Sequence, residues 1–169
     1  MSANGLPVFD KTLQTTHVWL DEIMEEIGPD RHLAWKCLAV VLHGLRDRLQ
    51  IGLSAHFAAE LPLLVRGVYY HDYSPARQPD DCDLEEFLED VDDRLFNNRP
   101  TDPRAATAAV FATLSRHIPP PLIRKVQQAL PKRLRTFWLD AADGVEPPPP
   151  PRFGRLMRAR RPDEARVFW

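Results

Sequence analysis

Apolar residues fall along the chain in short helical stripes, separated by glycine and proline. From Val18, the residues Trp19, Leu20, Ile23 and Ile27 recur at helical spacing. Gly28-Pro29 stops this first helix, because glycine accepts a left-handed cap and proline cannot continue the turn. Asp30 then offers a cap or a first-turn acid to a second helix, whose stripe Leu38, Val41, Leu42, Leu45, Leu49 runs for about four to five turns. Gly52 is expected to break that run. Leu53 to Leu61 reads as a shorter helix ending at Pro62, and Leu63 to Val68 as one or two more turns. The segment Tyr69-Tyr70-His71-Asp72-Tyr73-Ser74-Pro75 has the Ser, Asp and Pro content of an irregular loop.

The second half starts again after Cys82. Asp83-Leu84-Glu85-Glu86 reads as a capping box, with Asp83 accepting from the Glu86 amide and Glu86 reaching back. Its acids also suit the positive end of the helix dipole. The stripe Leu84, Phe87, Leu88, Val91, Leu95 follows, then an Asn/Arg/Pro loop, then Asp102-Pro103 as cap and first helical position. Val110, Phe111, Leu114 and Ile118 form the next stripe, ended by Pro119-Pro120-Pro121. Leu122 to Leu130, Pro131, and Leu134 to Leu139 complete the pattern.

Shifted by 69 positions, Leu61-Pro62 falls on Leu130-Pro131, without a gap from Leu38 over Thr107 to Arg66 over Arg135. Ala39/Ala108, Val41/Val110, Leu45/Leu114, Leu53/Leu122 and Arg66/Arg135 coincide. With a shift of 68, Trp19, Leu20, Ile23 and Ile27 fall on Phe87, Leu88, Val91 and Leu95. Amphipathic helices align with one another easily, so the weight rests on the order of four helices and the repeated Leu-Pro junction. The expected fold is all-α: a pseudo-symmetric helical bundle of two tandem multi-helix repeats packed face to face. Residues 1–14 read as an N-terminal extension. Residues 15–140 read as one domain of two repeats, about 15–72 and 83–140, and residues 141–169 as a proline-rich linker with a tail.

The run Leu61-Pro62-Leu63-Leu64-Val65-Arg66-Gly67-Val68-Tyr69-Tyr70, with Asp30-Arg31-His32 upstream and Leu130-Pro131 downstream, resembles the bacterial domain-of-unknown-function family numbered 2267. The likeness extends from about Thr15 to Trp138. It implies the helical fold and the two-copy layout, and it brings no activity, catalytic residue or cofactor. Where that family often has tryptophan shortly after the tyrosines, this chain has Tyr73.

Composition is that of a folding chain, with 44% hydrophobic and 27% charged residues over a length sufficient for one real core. Cys37 and Cys82 lack any partner at zinc spacing, so neither a disulfide framework nor a structural metal is signalled, and Cys37 reads as a small core residue. No basic-then-apolar leader and no stretch of ~20 apolar residues occurs, from which a cytoplasmic address is expected. A net charge of -2 is too near neutrality to suggest a nucleic-acid partner for the whole molecule. Its distribution is uneven: ten acids from Asp72 to Asp93 face Arg77 alone, while Arg152 to Trp169 carries six arginines against Asp163 and Glu164.

The chemistry is sparse. No Glu-x-x-His pairs, phosphate-binding glycine loop, Gly-x-Ser-x-Gly, HExxH or calcium loop is present, so no catalytic residue, metal or cofactor is assigned. His17 with Asp21 and His43 with Asp47 stand at i,i+4 spacing and read as surface pairs. The acids of 80–93 read as a solvated helix start. Two features remain. Arg66, Tyr69, Tyr70, His71 and Tyr73 offer large rings, hydroxyls and cations, the mix enriched at binding hot spots, while the second copy has Arg135-Thr136-Phe137-Trp138 and lacks the polar aromatic cluster that follows; the structural alternative is that the tyrosines seal the crossover between halves. In the tail, the polyproline stretch Pro147 to Pro151 precedes Phe153, Leu156, Met157 and Trp169 among arginines, a composition that suits a docking peptide, a membrane-surface segment or an RNA-attracting arm, or an extension folding back on the acidic loop. The expectation is a non-enzymatic interaction or regulatory protein with a protein partner. A small-molecule or enzyme site near Arg66, Tyr70 and His71, and nucleic-acid association through the tail, are the rivals.

Overall fold

Asp30, Asp83 and Asp102 each stand just before a helix-forming run, and each accepts backbone N–H groups from the turn that follows. Asp30 takes the Leu33 amide at 3.0 Å and Asp102 the Arg104 amide at 3.0 Å. Asp83 takes those of Glu85 and Glu86, while Glu86 returns the bond to the Asp83 amide, completing the expected capping box. The computed structural model describes residues 5–96 and 100–143. Among them the chain forms eight α-helices and no strand: α1 (Pro7–Ile27), α2 (Arg31–Arg48), α3 (Ile51–Ala59), α4 (Leu63–Tyr69), α5 (Leu84–Leu95), α6 (Pro103–His117), α7 (Pro120–Ala129) and α8 (Lys132–Ala142).

Two boundaries differ from the sequence expectation. The first helix begins at Pro7 rather than Val18, so most of the expected N-terminal extension is helix. Leu6, Phe9, Leu13, Thr16, Leu20 and Ile23 continue one stripe through it, buried from Thr16 onward and exposed before that. Gly52 does not break a helix; it lies inside α3, and the break falls at Leu49-Gln50, where the backbone turns extended. The proline run 119–121 both follows α6 and opens α7, because proline is tolerated in a first turn, whose N–H groups have no intrahelical partner.

α2 and α6 lie at the centre. α2 packs on α1, α4, α5 and α6, and α6 on α1, α2, α5, α7 and α8. One continuous apolar cluster joins the stripes, with Trp19, Phe57, Phe87, Phe111 and Trp138 fully buried. Phe111 stacks on Trp138 with ring centroids 4.1 Å apart.

Short helices inside a core leave terminal carbonyls that need donors. After α3, Arg66 supplies them: its Nε donates to Ala58 O at 3.0 Å, and its Nη2 to Ala59 O at 2.8 Å and Leu61 O at 3.1 Å. After α7, Arg135 donates in the same way to Gln127 O, Gln128 O and Leu130 O, at 3.0, 2.9 and 3.1 Å.

α2 and α5 approach closely at Gly44. A Cβ built on Gly44 would stand 2.9 Å from Cε2 of Phe87, a buried ring that cannot withdraw without opening the core. Gly44→Ala is therefore expected to destabilise the fold by about 1–3 kcal/mol despite alanine's better helix propensity. Denaturant unfolding measures it; an unchanged or raised midpoint would show that the α2–α5 contact is looser than this.

Candidate functional site

The carbonyls at the end of α2 are also met from outside the helix, by the segment that follows α4. Gln78 Nε2 donates to Arg46 O and, at 3.0 Å, to Leu49 O, while its Oε1 accepts from the Tyr73 hydroxyl. The Asp80 amide donates to Asp47 O at 2.8 Å. Arg46, buried, returns the favour: Nη1 donates to Tyr69 O at 2.8 Å and to His71 O at 3.0 Å, and Nε to Asp47 Oδ1 at 2.8 Å. Arg48, equally buried, donates to Cys82 Sγ through Nε and Nη2 and to Gly44 O through Nη1, with its guanidinium 4.7 Å above the Phe87 ring. The loop is strapped to the end of α2 at both of its ends.

Between strap and helix lies a cleft of about 590 Å³, floored by His43, Arg46 and Arg48 and rimmed by His71, Asp72, Asp80 and Arg94. Three arginines (46, 48, 94) and four aspartates (47, 72, 80, 90) line it. Asp90 sits 3.7 Å from both Arg48 and Arg94. His43 Nε2 lies 2.6 Å from Val68 O, which accepts only, so the ring carries its proton there. Burial, with Arg46 and Arg94 nearby, lowers the His43 pKa even though the Val68 bond opposes it. A second hollow of about 380 Å³ beside Cys82 gathers Asp81, Glu86 and Glu89. Among the described residues no group of three side chains is placed to hold a metal, and no helix is long and apolar enough to cross a membrane.

The sequence candidates separate into two groups. Tyr69 is fully buried, its hydroxyl 2.6 Å from Ser54 Oγ, and desolvation drives its pKa far up. Arg66 is spent on the three carbonyls after α3 and does not line the cleft. Tyr73 is half-buried, its hydroxyl on Gln78 and its ring 5.2 Å from the Arg46 guanidinium. These three side chains hold the fold. Tyr70 is 37% exposed, packed edge-on between Tyr69 and Tyr73, and His71 lies open beside Asp72 at 3.4 Å. Of the five, Tyr70 and His71 are open to solvent, and His71 alone lines the cleft. Phe153, Leu156, Met157 and Trp169 lie outside the described residues.

Over the length of this helical body, from α1 to α8, the chain matches a family model described as an uncharacterized conserved protein, DUF2267, across residues 16–137. The chain belongs to this family. No curated protein matches it. Of the residues that build the cleft in this DUF2267 chain, the sequence singles out His43, as a surface pair with Asp47, and leaves Arg46, Arg48 and Gln78 unmarked. Arg46 and Arg48 stand in the last turn of α2, where a cation complements the helix dipole; their burial depends on a strap more than 20 residues away. The i,i+4 pairs also dissolve: His43 turns to Val68 O and Asp47 pairs with Arg46, while Asp21 pairs with Arg31 at 2.9 Å and His17 stays exposed. Cys37 is the core residue expected, its thiol pushed up to about 11 by burial.

Two outcomes follow for the DUF2267 body. Tyr73→Phe removes the hydroxyl that orients Gln78 and should cost about 0.5–1.5 kcal/mol, whereas Tyr70→Phe, whose hydroxyl has no partner among the described residues, should cost almost nothing; equal costs in chemical denaturation would contradict the strap. Because the folded His43 pKa is lowered, the unfolded chain binds this proton first, and stability should fall as pH drops below about 6.5 toward the folded value. His43→Gln, which keeps a donor for Val68 O, should flatten that slope in pH-dependent melting; a slope identical to the parent's would assign the effect to other groups.

Proposed function

We propose that the chain is a duplicated helical scaffold of which one copy has become a recognition surface, making this a non-enzymatic interaction or regulatory protein of the cytoplasm. Duplication is supported by Arg66 and Arg135, 69 positions apart, which donate to three carbonyls that are also 69 positions apart. Leu61 and Leu130 are both buried before these arginines, and Tyr69 and Trp138 are both fully buried after them.

The carrying observation is the asymmetry of the polar cleft. Where the first half has His43 and Arg46, the equivalent positions of the second half have Ala112 and Ser115, and Ser115 accepts from Trp138 Nε1 at 2.8 Å. Asp47 and Arg48 correspond to Arg116 and His117, which hold Glu22 of α1 at 2.7 and 2.8 Å. The scaffold therefore closes with small side chains and a helix-to-helix clamp, and stability does not require two buried guanidinium groups and a strap. Burying charge costs free energy unless it serves another end. A cleft of this size, with an imidazole at its margin and ionised groups on its floor, suits a protein partner.

The test is affinity capture from native lysate with the full chain and with a His71→Ala, Arg94→Ala variant, two side chains outside the apolar core. A partner held by the parent should drop at least about tenfold with the variant, the loss expected of removing rim charges from a hot region, while the melting temperature stays unchanged. Undiminished recovery would remove the cleft from the interface.

A further inference from the structure

Arg46 is placed to do more than tie the strap. A guanidinium carries five N–H bonds, and Arg46 spends its Nε hydrogen on Asp47 and its two Nη1 hydrogens on Tyr69 O and His71 O. Nη2 has no partner among the described residues, although the side chain is only 6% exposed and lines the cleft. An ionised donor left without a protein partner at the end of a nearly buried side chain, and open to the cleft, can take an acceptor there, and a carboxylate is the group that meets a guanidinium best.

The rim has the opposite sign. Asp47 is matched by Arg46, and Asp90 by Arg48 and Arg94. Asp72 and Asp80 remain: among the described side chains, the exposed imidazole of His71 lies near Asp72, and no arginine pairs with either. Both stand close to the Arg46 group: Asp72 follows His71, whose carbonyl Arg46 holds, and the Asp80 amide bonds the Asp47 carbonyl. With the imidazoles neutral, the cleft carries one more aspartate than arginine. A ligand of one sign alone therefore fails. A polyanion meets Asp72 and Asp80 on entry, and a simple cation leaves Nη2 unmet.

We infer that the cleft takes a partner segment bearing a carboxylate beside a basic side chain, the carboxylate seated on Arg46 Nη2 and the cation between Asp72 and Asp80. This rests on the reading that the cleft is the partner-binding surface, and it adds the chemistry of what enters. His71, on the rim, covers the apolar stem of the basic residue.

The full chain, labelled with ¹⁵N, is titrated with three blocked tetrapeptides: acetyl-Ala-Glu-Lys-Ala-amide, its Gln-Lys analogue and its Glu-Gln analogue. The first should shift the Arg46 Nε–H signal and the amides of His71 and Asp72 saturably, and each analogue should bind about fivefold or more weakly, as expected when one member of a partly desolvated ion pair is lost. Asp72→Asn with Asp80→Asn should erase the preference for lysine and keep the preference for glutamate. Asn suits position 72, whose φ of 51° lies in the left-handed region, and at position 80 only the backbone amide bonds the helix, so the variant is expected to fold. Equal affinity for the three peptides, or no saturable shift at Arg46, overturns the inference. If capture is lost with the His71→Ala, Arg94→Ala variant but the peptides are not distinguished, the cleft keeps its partner and the charge pair is wrong. If capture is undiminished, both fall.

Discussion

Every short helix ends in carbonyls that its own chain cannot pair, and in this molecule several of those ends lie inside the core. The structure depends on how they are met. Arg66 and Arg135 each close three carbonyls after α3 and α7, Arg46 closes the end of α4, and Gln78 closes the end of α2. A planar guanidinium suits this task because its N–H bonds point in fixed directions to several acceptors at once, and it stays ionised when buried. Without these donors, the ends of α2, α3, α4 and α7 would leave part-buried carbonyls unpaired, each at a cost of about 1–3 kcal/mol where water cannot replace the lost bond.

The same device accounts for the cleft. Fastening the segment after α4 to the end of α2 leaves a gap between them, and the groups that fasten it are polar, so the gap is lined with charge. In the second half the end of α6 is met differently: Arg116 and His117 reach across to Glu22 on α1, and Ser115 receives Trp138. The ends of α2 and α6 are thus met by two different sets of partners, and the set at the end of α2 leaves the charged cleft beside it.

Tyrosines, an arginine and a histidine clustered in sequence looked like a contact surface, yet most of their polar atoms turn inward. Tyr69 bonds Ser54, Tyr73 bonds Gln78 and Arg66 bonds the end of α3. Composition alone does not separate a ring that seals a core from one that meets a partner, because both uses favour the same chemistry: broad apolar area with one polar end. Exposure separates them, and exposure belongs to the packed molecule.

By itself the sequence determined the all-α class, the caps at Asp30, Asp83 and Asp102, the Leu-Pro breaks, the core stripes through Leu45 and Leu114, and membership of a family. Each rests on spacing or on a residue's local backbone preference, acting within one or two turns. Only the tertiary structure decided that α1 starts at Pro7, that His43 faces Val68 rather than Asp47, that Arg46 and Arg48 are buried, and that a cleft opens beside them. The last three outcomes depend on contacts between residues 20 to 35 positions apart, whose partners are carbonyls and sulfur, groups that leave no periodic mark in a sequence.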